Sequence, residues 1–203
     1  MKIDKYEKFG KDKYRIFFNN GEVVETYDEV ILKNDLLLKK DITLSEYQKI
    51  FIDTNLVQHY NASLKYVSVR IRSTKEIYDY LKKKNVEEED INTIINRLTK
   101  EKLLDDEHFC ECFIKDKLNF TTMGEYKIIN DLKKHNIQNN IIDKYSYLWN
   151  EDVMLPRIEK LVDRQIKSNK NKDKYKLRNK IYYYLLNQGF SSDSIVKILN
   201  EKF

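Results

Sequence analysis

The chain has 203 residues, 41% of them hydrophobic and 35% charged, with a formal net charge of +5. One Pro, four Gly and the recurrence of Ile, Leu, Phe and Tyr in register exclude a low-complexity or disordered chain. The charged start Met-Lys-Ile-Asp-Lys-Tyr-Glu-Lys lacks the apolar core of a signal peptide, and no stretch approaches the roughly 20 apolar residues of a membrane span, so a cytoplasmic chain with no membrane partner is expected.

The N-terminal part reads as a β-hairpin. Tyr14-Arg-Ile-Phe-Phe18 and Glu22-Val-Val-Glu-Thr-Tyr27 are rich in strand formers, and Asn19-Asn20-Gly21 between them is a turn signal. A lone hairpin is marginal in water, so a third strand or the first helices should support it. Asp28 to Leu32 reads as a helical turn, while Leu36, Leu37 and Leu38 are too few to assign. A helix from about Ser45, its expected cap, to Asp53 leads into the rest of the chain.

From there a block repeats. Asn85-Val-Glu-Glu-Glu-Asp-Ile91 returns as Asn136-Ile-Gln-Asn-Asn-Ile-Ile142 and as Gly189-Phe-Ser-Ser-Asp-Ser-Ile195, at intervals of 51 and 53 residues. Asn and Gly adopt most easily the left-handed conformation that ends a helix, and an apolar residue follows each one: Val86, Ile137 and Phe190. The preceding helices share the beats Ile77/Leu81, Ile128/Leu132 and Ile181/Leu185. Ser73-Thr-Lys-Glu76 and Thr122-Met-Gly-Glu125 fit a capping box, and Asp173 is the weaker candidate in the third copy. The helices after the caps carry Ile91, Ile94, Ile95 and Leu98, then Ile142, Tyr145 and Trp149, then Ile195, Ile198 and Leu199. A further helix precedes each set. The expected architecture is mainly α: three tandem three-helix repeats forming an elongated curved array, after a small N-terminal β-hairpin region. The expected divisions are 1–56 for the hairpin and helix extension, then repeats at 57–109, 110–151 and 152–203.

Charge is uneven. Residues 157–180 carry ten basic side chains (Arg157, Lys160, Arg164, Lys167, Lys170, Lys172, Lys174, Lys176, Arg178 and Lys180) against three acidic ones. Such a segment is either a contact surface for nucleic acid or an acidic protein groove, or a solvated helix face. Arg70 and Arg72, at the junction of two helices, suit phosphate or carboxylate geometry, or simply pair with nearby acidic residues. Lys83, Lys133 and Lys134, with Lys82 and Lys84, fall at matching helix ends, where cations complement the helix dipole.

No catalytic centre, cofactor motif or metal-ligand spacing is legible. His59, His108 and His135 are scattered, and Walker, G-x-G-x-x-G and G-x-S-x-G motifs are absent. Asp105-Asp106 reads as a helix cap rather than a catalytic pair. Tyr182-Tyr183-Tyr184 reads mostly as packing. Cys110 and Cys112 face different sides of a helix, which suits packing residues in a reducing compartment.

Residues 57–203 resemble the RecX regulatory proteins. Ala62-Ser-Leu-Lys-Tyr-Val-Ser-Val-Arg-Ile-Arg-Ser73 is similar to the family's opening motif, in which a helix with small residues runs into Arg-x-Arg-Ser/Thr. Glu76, Leu81, Leu103-Leu-Asp-Asp106 with Phe109, Met123-Gly124 and Gly189-Phe190 match in order and spacing. Cys110 stands where the family usually has Ala, and Asn85 and Asn136 stand where it has Gly. The resemblance implies a non-catalytic modulator of the RecA recombinase in homologous recombination and DNA repair. It implies binding in the groove of the RecA–DNA filament and suppression of its ATPase, strand-exchange and coprotease activities. The 157–180 segment would add contacts to single- or double-stranded DNA, and a monomer is the default expectation.

Overall fold

At all three copies of the block the backbone turns left-handed where the sequence places Asn or Gly. In the computed structural model, which describes residues 1–169 and 173–203, φ is 57° at Asn85, 62° at Asn136 and 89° at Gly189. Each turn closes its helix with the same two bonds. The N–H groups of Val86, Ile137 and Phe190 reach the carbonyls of Leu81, Leu132 and Leu185, and those of Asn85, Asn136 and Gly189 reach Lys82, Lys133 and Leu186. These bonds satisfy carbonyls that a helix end leaves orphaned. Val86, Ile137 and Phe190 are buried, as the cap requires. A fourth cap of the same type has Lys102 at φ 59°, with Leu103 N–H on Leu98 and Lys102 N–H on Thr99. Lys carries no left-handed preference, so this cap is not marked by residue type.

The described residues form two units: Met1–Ile71 with Ile77–Leu103, and Arg72–Glu76 with Leu104–Phe203. In the first, strands β1 (Ile3–Lys8), β2 (Lys13–Phe18) and β3 (Val23–Tyr27) make an antiparallel sheet in that order. β2 and β3 are the expected hairpin, with Ile16 opposite Val24 and Gly21 at φ 84° in the turn. β1 is the supporting strand, and a bulge between Ile3 and Lys5 interrupts its pairing. One sheet face buries Ile16, Phe18 and Val24 in a core with Val30 and Ile31 of α1 (Asp28–Lys33), Leu36, and Ile50 and Val57 of α2 (Leu44–Val69). Leu36–Leu38 form a 3₁₀ turn.

α2 corrects two expectations. Its cap is Thr43, not Ser45: Thr43 Oγ1 accepts the Glu46 N–H while Glu46 accepts the Thr43 N–H. It also runs unbroken past the expected division at 56/57, because no Gly or Pro interrupts it. α3 (Thr74–Lys82) and α4 (Glu88–Lys100) complete the first three-helix set, burying Ile77, Leu81, Ile91, Ile94 and Leu98. Tyr60 of α2, Arg97 of α4 and Glu29 of α1 are clamped together. Arg97 lies 3.8 Å from the Tyr60 ring centroid and grips both Glu29 oxygens, while Tyr60 bonds Glu101.

The second unit holds α5 (Asp106–Phe120), α6 (Glu125–Lys134), α7 (Asn139–Lys144), α8 (Glu151–Ser168), α9 (Lys174–Gln188) and α10 (Ser192–Lys202). α5 spans the expected division at 109/110, because the Asp105 carboxylate caps it by accepting the N–H groups of Glu107 and His108. The expected helix through Tyr145 and Trp149 stops at Lys144, and Ser146–Trp149 follow as a 3₁₀ turn. Leu118 and Trp149 pack on both the α5–α7 core and the α8–α10 core, joining the second and third repeats.

Ser73 and Glu76 form the expected capping box, whereas Thr122 and Glu125 do not: the N-cap of α6 is Gly124, with no side-chain cap bond. Glu125 bonds the Ser191 N–H instead, and the Gly124 and Tyr126 N–H groups reach Gln188 and Gly189 carbonyls. The start of α6 is thus capped by the end of α9. Asp173 caps α9 as expected.

Candidate partner-binding surface

α8 is amphipathic: Met154, Ile158, Leu161 and Val162 are buried, while Glu151, Asp152, Glu159, Lys160, Arg164 and Lys167 are exposed. Glu159 and Asp163 are held by Lys202 of α10 at 2.7 and 3.0 Å, and Glu151 by Lys197 at 3.0 Å. Three of the four acidic side chains of α8, all but Asp152, are therefore occupied from within. Lys160, Arg164 and Lys167 are exposed and form no ion pair among the described residues. Helical spacing puts all three on one stripe, where they line an open groove of about 780 Å³ with Glu159 and Asp163.

The other basic residues are placed differently. Lys174 is exposed in the first turn of α9, and Arg178 is half-buried and donates to Asn200 Oδ1 at 2.8 Å. Lys170 and Lys172 lie outside the described residues. Lys83 is exposed just past α3. Lys133 and Lys134 are exposed in the last turn of α6, where Lys134 pairs with Asp131 at 2.7 Å. Arg70 is exposed at the end of α2 and donates to the Ile71 carbonyl. Arg72 is different: its side chain is only 11% exposed and pairs with Glu76 at 3.4 Å, the carboxylate pairing that its residue type allows. Arg157, inside the basic segment by sequence, is turned inward onto the carbonyls of Leu118, Thr121 and Met123. Lys160 is one of the ten basic residues of the segment, but nothing in the charge count sets it apart as part of this stripe. Its i, i+4 relation to Arg164 was the available signal.

Asp105 and Asp106 both act as caps, Asp106 accepting the Thr74 N–H at 2.7 Å. Tyr182 and Tyr184 pack against the core, and Tyr183 is exposed. Cys110 is fully buried, which pushes its thiol up to about 11, and Cys112 is half-buried. Among the described residues no helix is long and apolar enough to cross a membrane.

A protein from Finegoldia magna named regulatory protein RecX is 30% identical over 197 residues, covering 94% of this chain and 91% of that relative. The chain belongs to the RecX family. A second RecX relative, from Oceanobacillus iheyensis, is 30% identical over 202 residues, covering 96% of this chain and 74% of its own. The family's first three-helix domain matches residues 60–98, and its third matches residues 152–199. A crystal structure of regulatory protein RecX shares the fold, with a TM-score of 0.88 over 98% of both chains at 22% identity. The α8–α9 cations thus belong to the third RecX three-helix domain, and the family name describes a regulatory protein.

Proposed function

We propose that the chain is a non-catalytic regulator that binds the RecA–DNA filament and lowers its ATPase, strand-exchange and coprotease activities. The observation carrying this reading is the near full-length similarity to relatives named regulatory protein RecX. The charge distribution supports it. The third repeat presents Lys160, Arg164 and Lys167 on an exposed stripe of α8 whose acidic neighbours Glu159 and Asp163 are already paired, and Lys174 is exposed at the start of α9. Such a face suits the acidic side chains or phosphates of a nucleoprotein filament. Arg70, Lys83, Lys133, Lys134 and Arg178 are secondary contacts in this reading. The test is RecA-dependent ATP hydrolysis on single-stranded DNA with and without the protein. Hydrolysis falls at stoichiometric ratios if the reading holds, and an unchanged rate refutes it.

A second reading, an autonomous nucleic-acid-binding module, is favoured by Tyr175 and Tyr183. They stand 72% and 63% exposed on α9 among the cations, where bases could stack. It predicts binding to DNA without RecA, each neutralised phosphate steepening the salt slope by roughly 0.7–0.9.

A further inference from the structure

Among the described residues Arg157 is a cation without an anion. Its guanidinium sits under the end of α5, donating to the carbonyls of Leu118, Thr121 and Met123. Its Nε is buried with no hydrogen-bond partner, and it forms no ion pair among the described residues. Burial pulls its pKa below the ordinary guanidinium value. Carbonyl dipoles compensate such a charge only in part, because a desolvated ion is stabilised mainly by an opposite charge.

The same guanidinium lines a hollow of about 330 Å³, with Lys160 and Arg164 beside it and Leu118, Pro156 and Leu161 as apolar walls. Lys160 and Arg164 also form no ion pair among the described residues. A concave, partly apolar site of this size with a few convergent polar groups is the usual form of a ligand pocket. Its chemistry calls for an anion next to an apolar group. Arg suits carboxylates through its planar fork. One observation favours a peptide over a nucleic-acid strand. The aromatic that lines the hollow among the described residues, Phe190, is 1% exposed and offers no face for stacking, while Leu118, Pro156 and Leu161 suit an aliphatic side chain.

We propose that this hollow between the end of α5 and α8 is a docking site for an acidic peptide segment, with one apolar side chain against Leu118, Pro156 and Leu161 and its flanking carboxylates held by Arg157, Lys160 and Arg164. The bound carboxylate supplies the counter-charge that Arg157 lacks. The inference goes beyond the filament reading and stands without it, because any partner presenting such a segment would be held.

The test uses the full chain without RecA. Fluorescence anisotropy follows a dye-labelled synthetic peptide with a central leucine between flanking aspartates. Saturable binding is expected, weakened about tenfold or more by Arg164→Glu and by Thr122→Trp, which fills the mouth of the hollow. Thr122, Asn119 and Arg164 are exposed, so the fold should tolerate the changes, and Asn119→Trp is a second blocking variant. A lysine-flanked peptide should not bind. Absence of binding, or equal binding by the blocked and charge-reversed proteins, overturns the proposal. So does an oligothymidylate that displaces the peptide and is itself lost in the same variants, which would make the hollow a nucleic-acid site. Because RecA is absent, failure here is separate from failure of the filament reading.

Discussion

Gly124 stands where a methyl group has no room. A Cβ there would lie 2.4 Å from Gly189 C and Phe190 N and 2.5 Å from Gly189 O. These are backbone atoms, so no side-chain rotation can give way. Three bonds hold the approach: Gly124 N–H to Gln188 O at 2.8 Å, Tyr126 N–H to Gly189 O at 2.9 Å, and Ser191 N–H to Glu125 Oε1 at 2.8 Å. In Gly124→Ala the start of α6 must retreat from the end of α9, and all three bonds lengthen or break. At roughly 1 kcal/mol each the loss is about 3 kcal/mol. The lower entropy of the unfolded Ala chain offsets about 0.4–1 kcal/mol. The net destabilisation is therefore about 2–3 kcal/mol, read by urea unfolding followed by far-ultraviolet circular dichroism. Gly10→Ala is the control, because its Cβ would lie 3.3 Å from Lys13 Cβ, a contact that a shift of a few tenths of an ångström relieves, against 2.4 Å from backbone at Gly124. A Gly124→Ala protein within about 0.5 kcal/mol of wild type would refute the reasoning, since that is the range of ordinary surface substitutions.

Lys102→Gly should stabilise by about 1 kcal/mol in the same assay, because it relieves a left-handed non-glycine cap at φ 59°. A neutral or destabilising result would mean that the turn is not strained. Asp53 is buried and accepts Lys33 Nζ at 2.8 Å and Asn34 Nδ2 at 2.7 Å. Burial alone raises its pKa, but the bonds from Lys33 and Asn34 outweigh burial and hold it below the ordinary Asp value. The unfolded chain then binds this proton more readily, so the stability Asp53 contributes is present above about pH 4 and lost as pH falls further. Asp53→Asn should flatten that acid limb in unfolding curves taken across pH; an unchanged limb would count against the pairing. Cys110 is fully buried with its thiol pushed up to about 11, so a thiol reagent at neutral pH should label Cys112 alone in the native protein and both in denaturant. Rapid native labelling of Cys110, identified by peptide mapping, would contradict its burial.

The caps were legible because Asn85, Asn136 and Gly189 advertise a backbone conformation that few residues adopt. Lys102 performs the same turn without that signature, so only the fold reveals it. The hairpin's need for support points to a third strand, but its place at Ile3–Lys8 is not legible because the segment shows no clean alternation: Ile3 and Tyr6 alone are half-buried along it. The Thr122 box failed for a reason outside its own segment, since Glu125 is drawn to the Ser191 N–H some sixty residues away in sequence. The basic segment was visible as charge, but the availability of each cation was not. That depends on Lys202 reaching Glu159 and Asp163 from α10, and on the end of α5 capturing Arg157. By type Arg72 suits either a phosphate or a nearby carboxylate, and only the fold shows that it pairs with Glu76.

The account rests on the third repeat as the contact face, and filament binding by the Arg164→Glu/Lys167→Glu double variant tests that most directly. Both side chains are exposed, and neither forms an ion pair among the described residues, so folding should be unchanged. Measured by co-sedimentation with RecA filaments at fixed salt, the variant should bind about tenfold or more weakly than wild type. A control reversal at exposed Lys100 on α4 should bind like wild type. Equal binding by the double variant and wild type would contradict the account.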